Sequence, residues 1–377
     1  MAFTADEEMI RETAERFAQA ELAPGAAERD RTSRFPAAEL RKLGELGLLG
    51  VTVSPDWGGA GATYTALTLA VEAISKADAS VGVVMSTHNS LACMPIFQHG
   101  TQAQKEHFLA PLVSGEKIGA VAITESQSGS NAADIRTRAE TRNGRYVLTG
   151  TKQFITAGGY ADLILLLANT DPQAGPRGIT CFIVPTDTSG FSVGRVEEKL
   201  GIRSSGTAQL ILDGVELGED HVLGAPGEGY RIILAALGRS RLGIAAQAVG
   251  IAQAAFEAAL AYARERQSFG KPIIEHQAVG FRLASMATEI EAARQLTYHA
   301  AALCDARVPF QKESSMAKLF AAEMAERVCS QALQTLGGYG YLADYPLERL
   351  YRDARICQIY EGTSDIQRMI ITRMLAT

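Results

Sequence analysis

Two changes of character divide this 377-residue chain and limit what it can fold into. Up to Glu116 the apolar residues recur at helical spacing. Between Lys117 and Gly227 they come in short β-branched runs, and from Glu228 onward helical spacing returns over much longer stretches. A segment written with a 3.6-residue period does not settle as a strand, and the reverse also holds. The expected fold is therefore α+β with the sheet segregated from the helices: a helical domain over 1–116, a β domain over 117–227 and a helical bundle over 228–377.

Within the first part, helices are expected over Glu8–Ala20, after Pro36, over Thr63–Lys76 and Val81–Phe97, and over Gln102–Val113 with Thr101 as cap. The glycine-rich run Ser54–Gly61 reads as irregular loop. In the middle part, Ala120–Thr124, Ile135–Thr141, Tyr146–Thr149, Leu163–Ala168, Ile179–Pro185 and Ala208–Val215 read as strands, and Asn143-Gly144 as a hairpin turn. That is the material of a small barrel or sandwich. The last part offers Ile232–Arg266, with Gly243, Ala246 and Gly250 allowing close helix approach, then Gln277–Ala306, Lys312–Leu336, Leu347–Arg355 and Ile366–Leu375. These suit a four-helix bundle with a short closing helix.

Composition excludes several functions. The net charge is −6 and the cations are scattered, which argues against a nucleic-acid partner. No apolar run reaches the roughly 20 residues that span a bilayer, so no membrane role is expected. Asp6, Glu7, Glu8 and Glu12 have the wrong sign for a signal or transit peptide, which points to the cytoplasm. The five cysteines are far apart and lack a CxxC pair, and the six histidines lack ligand spacing. Reduced core thiols are expected, without a metal centre.

One carboxylate stands out. In Ile359-Tyr360-Glu361-Gly362-Thr363-Ser364-Asp365, Glu361 lies in a glycine-containing loop just before a helix that Thr363, Ser364 or Asp365 can cap. Held against Ile359 and Tyr360, it would be desolvated and become a stronger proton acceptor.

This loop resembles the catalytic loop of the acyl-CoA dehydrogenases, and further matches follow in order along the chain. Thr124-Glu125 with Ser128-Gly129-Ser130-Asn131 is similar to the family's flavin loop, with Ser126-Gln127 in place of Pro-Gly and Asn131 in place of Asp. Lys152-Gln153-Phe154-Ile155-Thr156 resembles a segment whose aromatic residue covers the flavin, with Phe154 in place of Trp. Arg264–Lys271 with Gln277, and Gln334–Gly340, resemble the contacts to the dinucleotide and its adenosine end.

The resemblance implies the family's N-terminal helical domain, middle β-barrel and C-terminal four-helix bundle, and a FAD cofactor. It assigns FAD to Ile123, Thr124, Ser130, Phe154, Ile155, Thr156, Arg266, Phe269, Gln277, Gln334, Gly337, Gly338, Thr363 and Asp365. It assigns the acyl-CoA substrate to Ser130, Arg241, Tyr360 and Gly362, with the acyl pocket around Met85–Leu91 and Leu234–Leu237. Relatives that carry their base immediately before the arginine matching Arg241 have a carboxylate there. Here the residue is Ser240, which leaves Glu361 as the base. Gly238 stands where close relatives often carry an Asp.

The implied activity, closest to the short-chain members, is α,β-dehydrogenation of a short-chain or short branched acyl-CoA to the trans-2-enoyl-CoA. Electrons would pass to electron-transfer flavoprotein, and the implied assembly is a homotetramer. The alternatives are an oxygen-using flavin oxidase or monooxygenase of the same fold, and a non-catalytic family member.

Overall fold

The computed structural model describes residues 2–376. The N-terminal body contains α1 (Ala5–Phe17), α2 (Ala26–Thr32), α3 (Ala37–Glu45), α4 (Tyr64–Ala77), α5 (Ala79–Thr87), α6 (Met94–His99), α7 (Gln102–Gln104) and α8 (Ala110–Val113). Short π-helical turns at Ala18–Leu22, His88–Cys93 and Lys105–Leu109 carry the chain through without a break, so α5 and α6 form the single buried segment expected around Val81–Phe97. Thr63 and Thr101 cap α4 and α7 with their hydroxyls, Thr101 in a reciprocal capping box with Gln104.

Eight strands form the middle body: β1 (Gly119–Ala122), β2 (Arg138–Arg142), β3 (Arg145–Ile155), β4 (Leu163–Asn169), β5 (Ile179–Pro185), β6 (Phe191–Val196), β7 (Ala208–Leu217) and β8 (Val222–Leu223). Their order is β6-β7-β3-β2-β4-β5-β8, with β1 parallel to β4. A single pair, Arg138 opposite Asn169, joins the two halves of this sheet. The Asn143-Gly144 turn places Arg142 opposite Arg145, as the hairpin signal requires.

β4 and β5 are buried almost throughout because both of their faces are covered. Ile164, Leu166, Phe182 and Val184 face the main core, while Leu163, Leu165, Cys181 and Ile183 face a second core with Met94, Leu112 and Ile232. β6 and β8 were not foreseen. β6 is exposed at nearly every position and carries no alternating apolar signal, and β8 has only two residues.

The C-terminal body holds α9 (Gly229–Glu265), the hairpin strands β9 (Gln267–Ser268) and β10 (Lys271–Pro272), α10 (Gln277–Asp305), α11 (Gln311–Leu336), α12 (Leu347–Arg355) and α13 (Ser364–Leu375). α9 is about 55 Å long at 1.5 Å per residue and packs against α4, α5, α10, α11 and α12. A side chain at Gly243 would collide with Ser86, and one at Gly250 with the Glu72 carbonyl, so only glycine allows these crossings. Over one window α9 is long and apolar enough to cross a membrane (mean hydropathy 1.4), but 61% of that window is buried inside the fold, as for a core helix.

Polar contacts tie the two helical bodies together. The Asp305 carboxylate accepts from the Tyr64 and Thr65 amides at 2.7 and 3.0 Å, and Arg294 pairs with Glu72 at 2.9 Å.

Candidate active site

After α12 the chain makes one 3₁₀ turn, Ile356–Gln358, and doubles back into α13, whose N-cap is Thr363. Glu361 adopts φ +53°, a left-handed conformation that costs a non-glycine residue on the order of 1–2 kcal/mol. Gly362 follows at φ +90°. Two side chains hold the loop through its carbonyls. Lys318 Nζ donates to the Gly362 carbonyl at 2.7 Å, and Gln367 Nε2 donates to the same oxygen at 2.9 Å and to the Glu361 carbonyl at 3.3 Å.

The Glu361 carboxylate takes no part in this anchoring: its Oε2 is buried and has no hydrogen-bond partner. Burial pushes the carboxyl up to a pKa of about 7, against the pull of Lys318 and Arg241. Arg241 comes from α9, half-buried, with Nε buried and unpartnered and its proton affinity lowered by desolvation. Ser240, Ser364 and Gln367 each carry a further buried polar atom without a partner. So many unmet polar atoms around one loop are characteristic of a place where a ligand completes the bonding. Tyr360 turns inward and donates to Gln247, whereas Ile359 is 48% exposed and does not cover the base as expected from sequence.

In the middle body, Glu125 organises the loop that begins at Thr124. Its carboxylate accepts from the Arg136 and Thr137 amides at 2.8 and 3.0 Å, from Gln127 Nε2 at 2.9 Å and from Lys152 Nζ at 2.8 Å. Burial alone would raise its pKa, but Lys152 and these donors outweigh burial and hold it at about 2. Gln127, which stands where Pro-Gly was the expected pattern, also donates to the Asp134 carbonyl at 3.0 Å and so fastens the loop by side chain. Ser128 Oγ closes it on the Asn131 carbonyl, leaving Ser130 exposed at the tip.

The Gln153 amide donates to the Thr124 carbonyl at 2.8 Å, which places this loop beside β3. There a bulge between Lys152 and Ile155 turns Phe154 to φ +59° and leaves its ring 63% exposed, with Ile155 buried beneath and Thr156 half-buried. Ile123, whose carbonyl accepts from Lys152 at 3.1 Å, completes the cluster.

A third group lies at the far end of α9. Arg266, Ser268, Gln334, Gly337, Gly338 and Tyr339 line a cleft of about 630 Å³, with the Arg266 guanidinium 5.9 Å above the Tyr339 ring. Phe269 and Gln277 do not line it. Phe269 sits at φ +50° in the β9–β10 turn with 96% of its surface exposed, and Gln277 is exposed at the start of α10. Asp365 faces solvent on α13.

Three family descriptions match in order: the acyl-CoA dehydrogenase N-terminal domain over residues 4–116, the middle domain over 120–215 and the C-terminal domain over 227–376. The chain belongs to the acyl-CoA dehydrogenase family. It is 47% identical to the mitochondrial short-chain specific acyl-CoA dehydrogenase of Bos taurus over 97% of this chain and 88% of that one. Among solved structures, butyryl-CoA dehydrogenase from Megasphaera elsdenii superposes with a TM-score of 0.98 at 40% identity, covering all of both chains. A chain solved in work on the electron transferring flavoprotein of Acidaminococcus fermentans gives 0.98 at 41%, covering all of this chain and 99% of that one. PigA, solved with FAD and proline, is similar at 28% identity and a TM-score of 0.96, over all of this chain and 99% of that one.

This acyl-CoA dehydrogenase is thus an oxidoreductase whose motif residues fall into three groups, around Glu361, around Phe154 and around Arg266. Reading the sequence missed the residues that support them. Lys318 is fully buried on α11 in a stripe of Ser314, Ala321, Ala325 and Val328, and a lysine at a core position of a helix is the signal that could have found it. Gln247 and Gln367, both fully buried, offer the same kind of clue. All five cysteines are buried and unpaired.

Proposed function

We propose that this acyl-CoA dehydrogenase oxidises a short-chain or short branched acyl-CoA to the trans-2-enoyl-CoA, with Glu361 taking the α-proton. The observation that carries this reading is the Glu361 carboxylate: desolvated to a pKa of about 7, unpartnered at Oε2, and held by its backbone so that the side chain is free to react. A base with that proton affinity is matched to work near neutral pH. The Glu361 amide would donate to the thioester carbonyl and stabilise the charge that develops when the proton leaves. Arg241, Tyr360, Gly362 and Ser130 would orient the acyl-CoA.

The residues present fit FAD. Phe154 offers an exposed aromatic face, with Ile123, Thr124, Ser130, Ile155 and Thr156 around it. The cleft of Arg266, Gln334, Gly337 and Gly338 suits a phosphate-bearing end, while Phe269, Gln277, Thr363 and Asp365 lie outside it and are assigned to FAD by the family resemblance alone. Bound FAD supplies the acceptor for the hydride that leaves the β-carbon. Electron-transfer flavoprotein as the onward acceptor is supported by the Acidaminococcus fermentans likeness, and a homotetramer by the family resemblance.

Anaerobic titration with butyryl-CoA, then with branched and cyclic thioesters, tests the reaction: one of them should bleach the oxidised flavin band. A flavin that stays oxidised with every thioester would overturn the reading. The PigA likeness keeps an oxygen-using flavoenzyme in view as a second reading, and stoichiometric oxygen consumption during turnover would establish it. Protein purified without flavin would indicate a non-catalytic member.

Arg266→Glu should weaken FAD binding by at least about 10- to 100-fold, the equivalent of losing a charge-assisted phosphate contact. Equilibrium dialysis of the apoprotein measures this, and unchanged affinity would remove Arg266 from the cofactor site.

A further inference from the structure

We propose that Lys318 is a positioning residue for proton abstraction: its ammonium fixes the left-handed Glu361 loop through the Gly362 carbonyl and sets the proton affinity of the Glu361 carboxylate. The inference rests on Glu361 being the base. Lys318 has no solvent exposure, yet its Nζ lies 2.7 Å from the Gly362 carbonyl and pairs with no carboxylate. A buried cation without an anionic partner is costly, so its placement needs a reason beyond packing.

The geometry supplies one. Glu361 and Gly362 are both at positive φ, and their carbonyls are gathered by donors from two other helices, Lys318 on α11 and Gln367 on α13. Without these donors the loop could relax and swing the carboxylate away from the reacting carbon. Charge gives the second half of the argument. Burial lowers the Lys318 pKa to about 8, while Cys357, Glu361 and Glu323 pull it up and Arg241 opposes them. Lys318 and Arg241 are the two cations that favour the ionised form of Glu361.

The test uses Lys318→Met, Lys318→Gln and Lys318→Arg in the full-length holoenzyme, each with two readouts. One is the pH profile of single-turnover flavin reduction by butyryl-CoA. The other is the protonation midpoint of Glu361 by infrared difference titration against Glu361→Gln, which depends on neither turnover nor bound flavin. Lys318→Met should raise the midpoint by about one pH unit and slow reduction at pH 7 by at least about 10-fold. Lys318→Gln, which keeps a neutral donor, should shift the midpoint with a smaller loss of rate above it. Lys318→Arg should keep the midpoint near that of the parent.

A purely structural lysine would lower thermal stability and leave the midpoint in place, and that outcome overturns the proposal. Should Lys318→Met fail to fold, the glutamine variant decides by the same criterion. If Glu361→Gln reduces its flavin as fast as the parent, the functional reading fails by itself, and the infrared midpoints still report whether Lys318 governs the carboxylate.

Discussion

Glu361→Gln is expected to fold, to bind FAD, and to lose acyl-CoA oxidation by roughly 10³- to 10⁴-fold, the scale of a missing general base. The fold should survive because the loop is anchored through main-chain carbonyls to Lys318 and Gln367 and not through the carboxylate. Stopped-flow flavin reduction measures the rate, and a variant within 10-fold of the parent on this scale would place the base elsewhere.

The same variant should be more stable than the parent, and the sign follows from linkage. The native carboxyl has a pKa of about 7 against 4.5 as its ordinary value. Below pH 4.5 both native and unfolded chains hold the proton, and the two proteins should melt alike. As pH rises toward 7 the unfolded chain releases its proton first, so the parent loses stability. Above 7 the whole cost is present, about 3 kcal/mol. Glutamine escapes it, so the gap should open between pH 5 and pH 8. A pH-independent gap would mean that Glu361 is solvated.

Lys152→Met is expected to destabilise the protein by about 3–5 kcal/mol in urea unfolding, the range for breaking a buried ion pair on one side. Lys152 is fully buried and Glu125 nearly so, 2.8 Å apart. Removing the cation leaves a carboxylate with three neutral donors in an apolar interior. The pH dependence should change as well. With its pKa at about 2, Glu125 contributes stability that is intact above pH 4.5 and lost as pH falls toward 2. In the variant the carboxyl protonates at higher pH, so its deficit should shrink in mild acid. Adding Glu125→Gln should recover part of the loss. A single-variant cost under about 1 kcal/mol would show the pair to be incidental.

The elements that read well from sequence are those whose signals are local. Asn143-Gly144 dictates its own turn, and α12 spans Leu347–Arg355 as expected, with Leu347, Leu350 and Ala354 buried. β6 failed because an exposed edge strand has no burial to write an alternating pattern. The same division holds in the site. Glu361, Gly362 and Thr363 are contiguous and legible as a motif. What positions them comes from Lys318 on α11 and Gln367 on α13, and nothing in the loop announces which helix will supply the donors. The aromatic at Phe154 is legible in its motif, but its left-handed backbone depends on a bulge against β7 that only the paired strands reveal.

The long helix α9 acts as a ruler. It carries Arg241 in its first half and Arg266 just past its end, which at 1.5 Å per residue puts the two cations about 38 Å apart. No single dinucleotide stretches that far, so on the proposed reading one chain lends its two ends to two different reaction centres. Subunits impaired at opposite ends should therefore complement each other. Arg266→Glu and Glu361→Gln chains, each impaired alone, would form mixed dimers in which one centre carries both lesions and the other carries none.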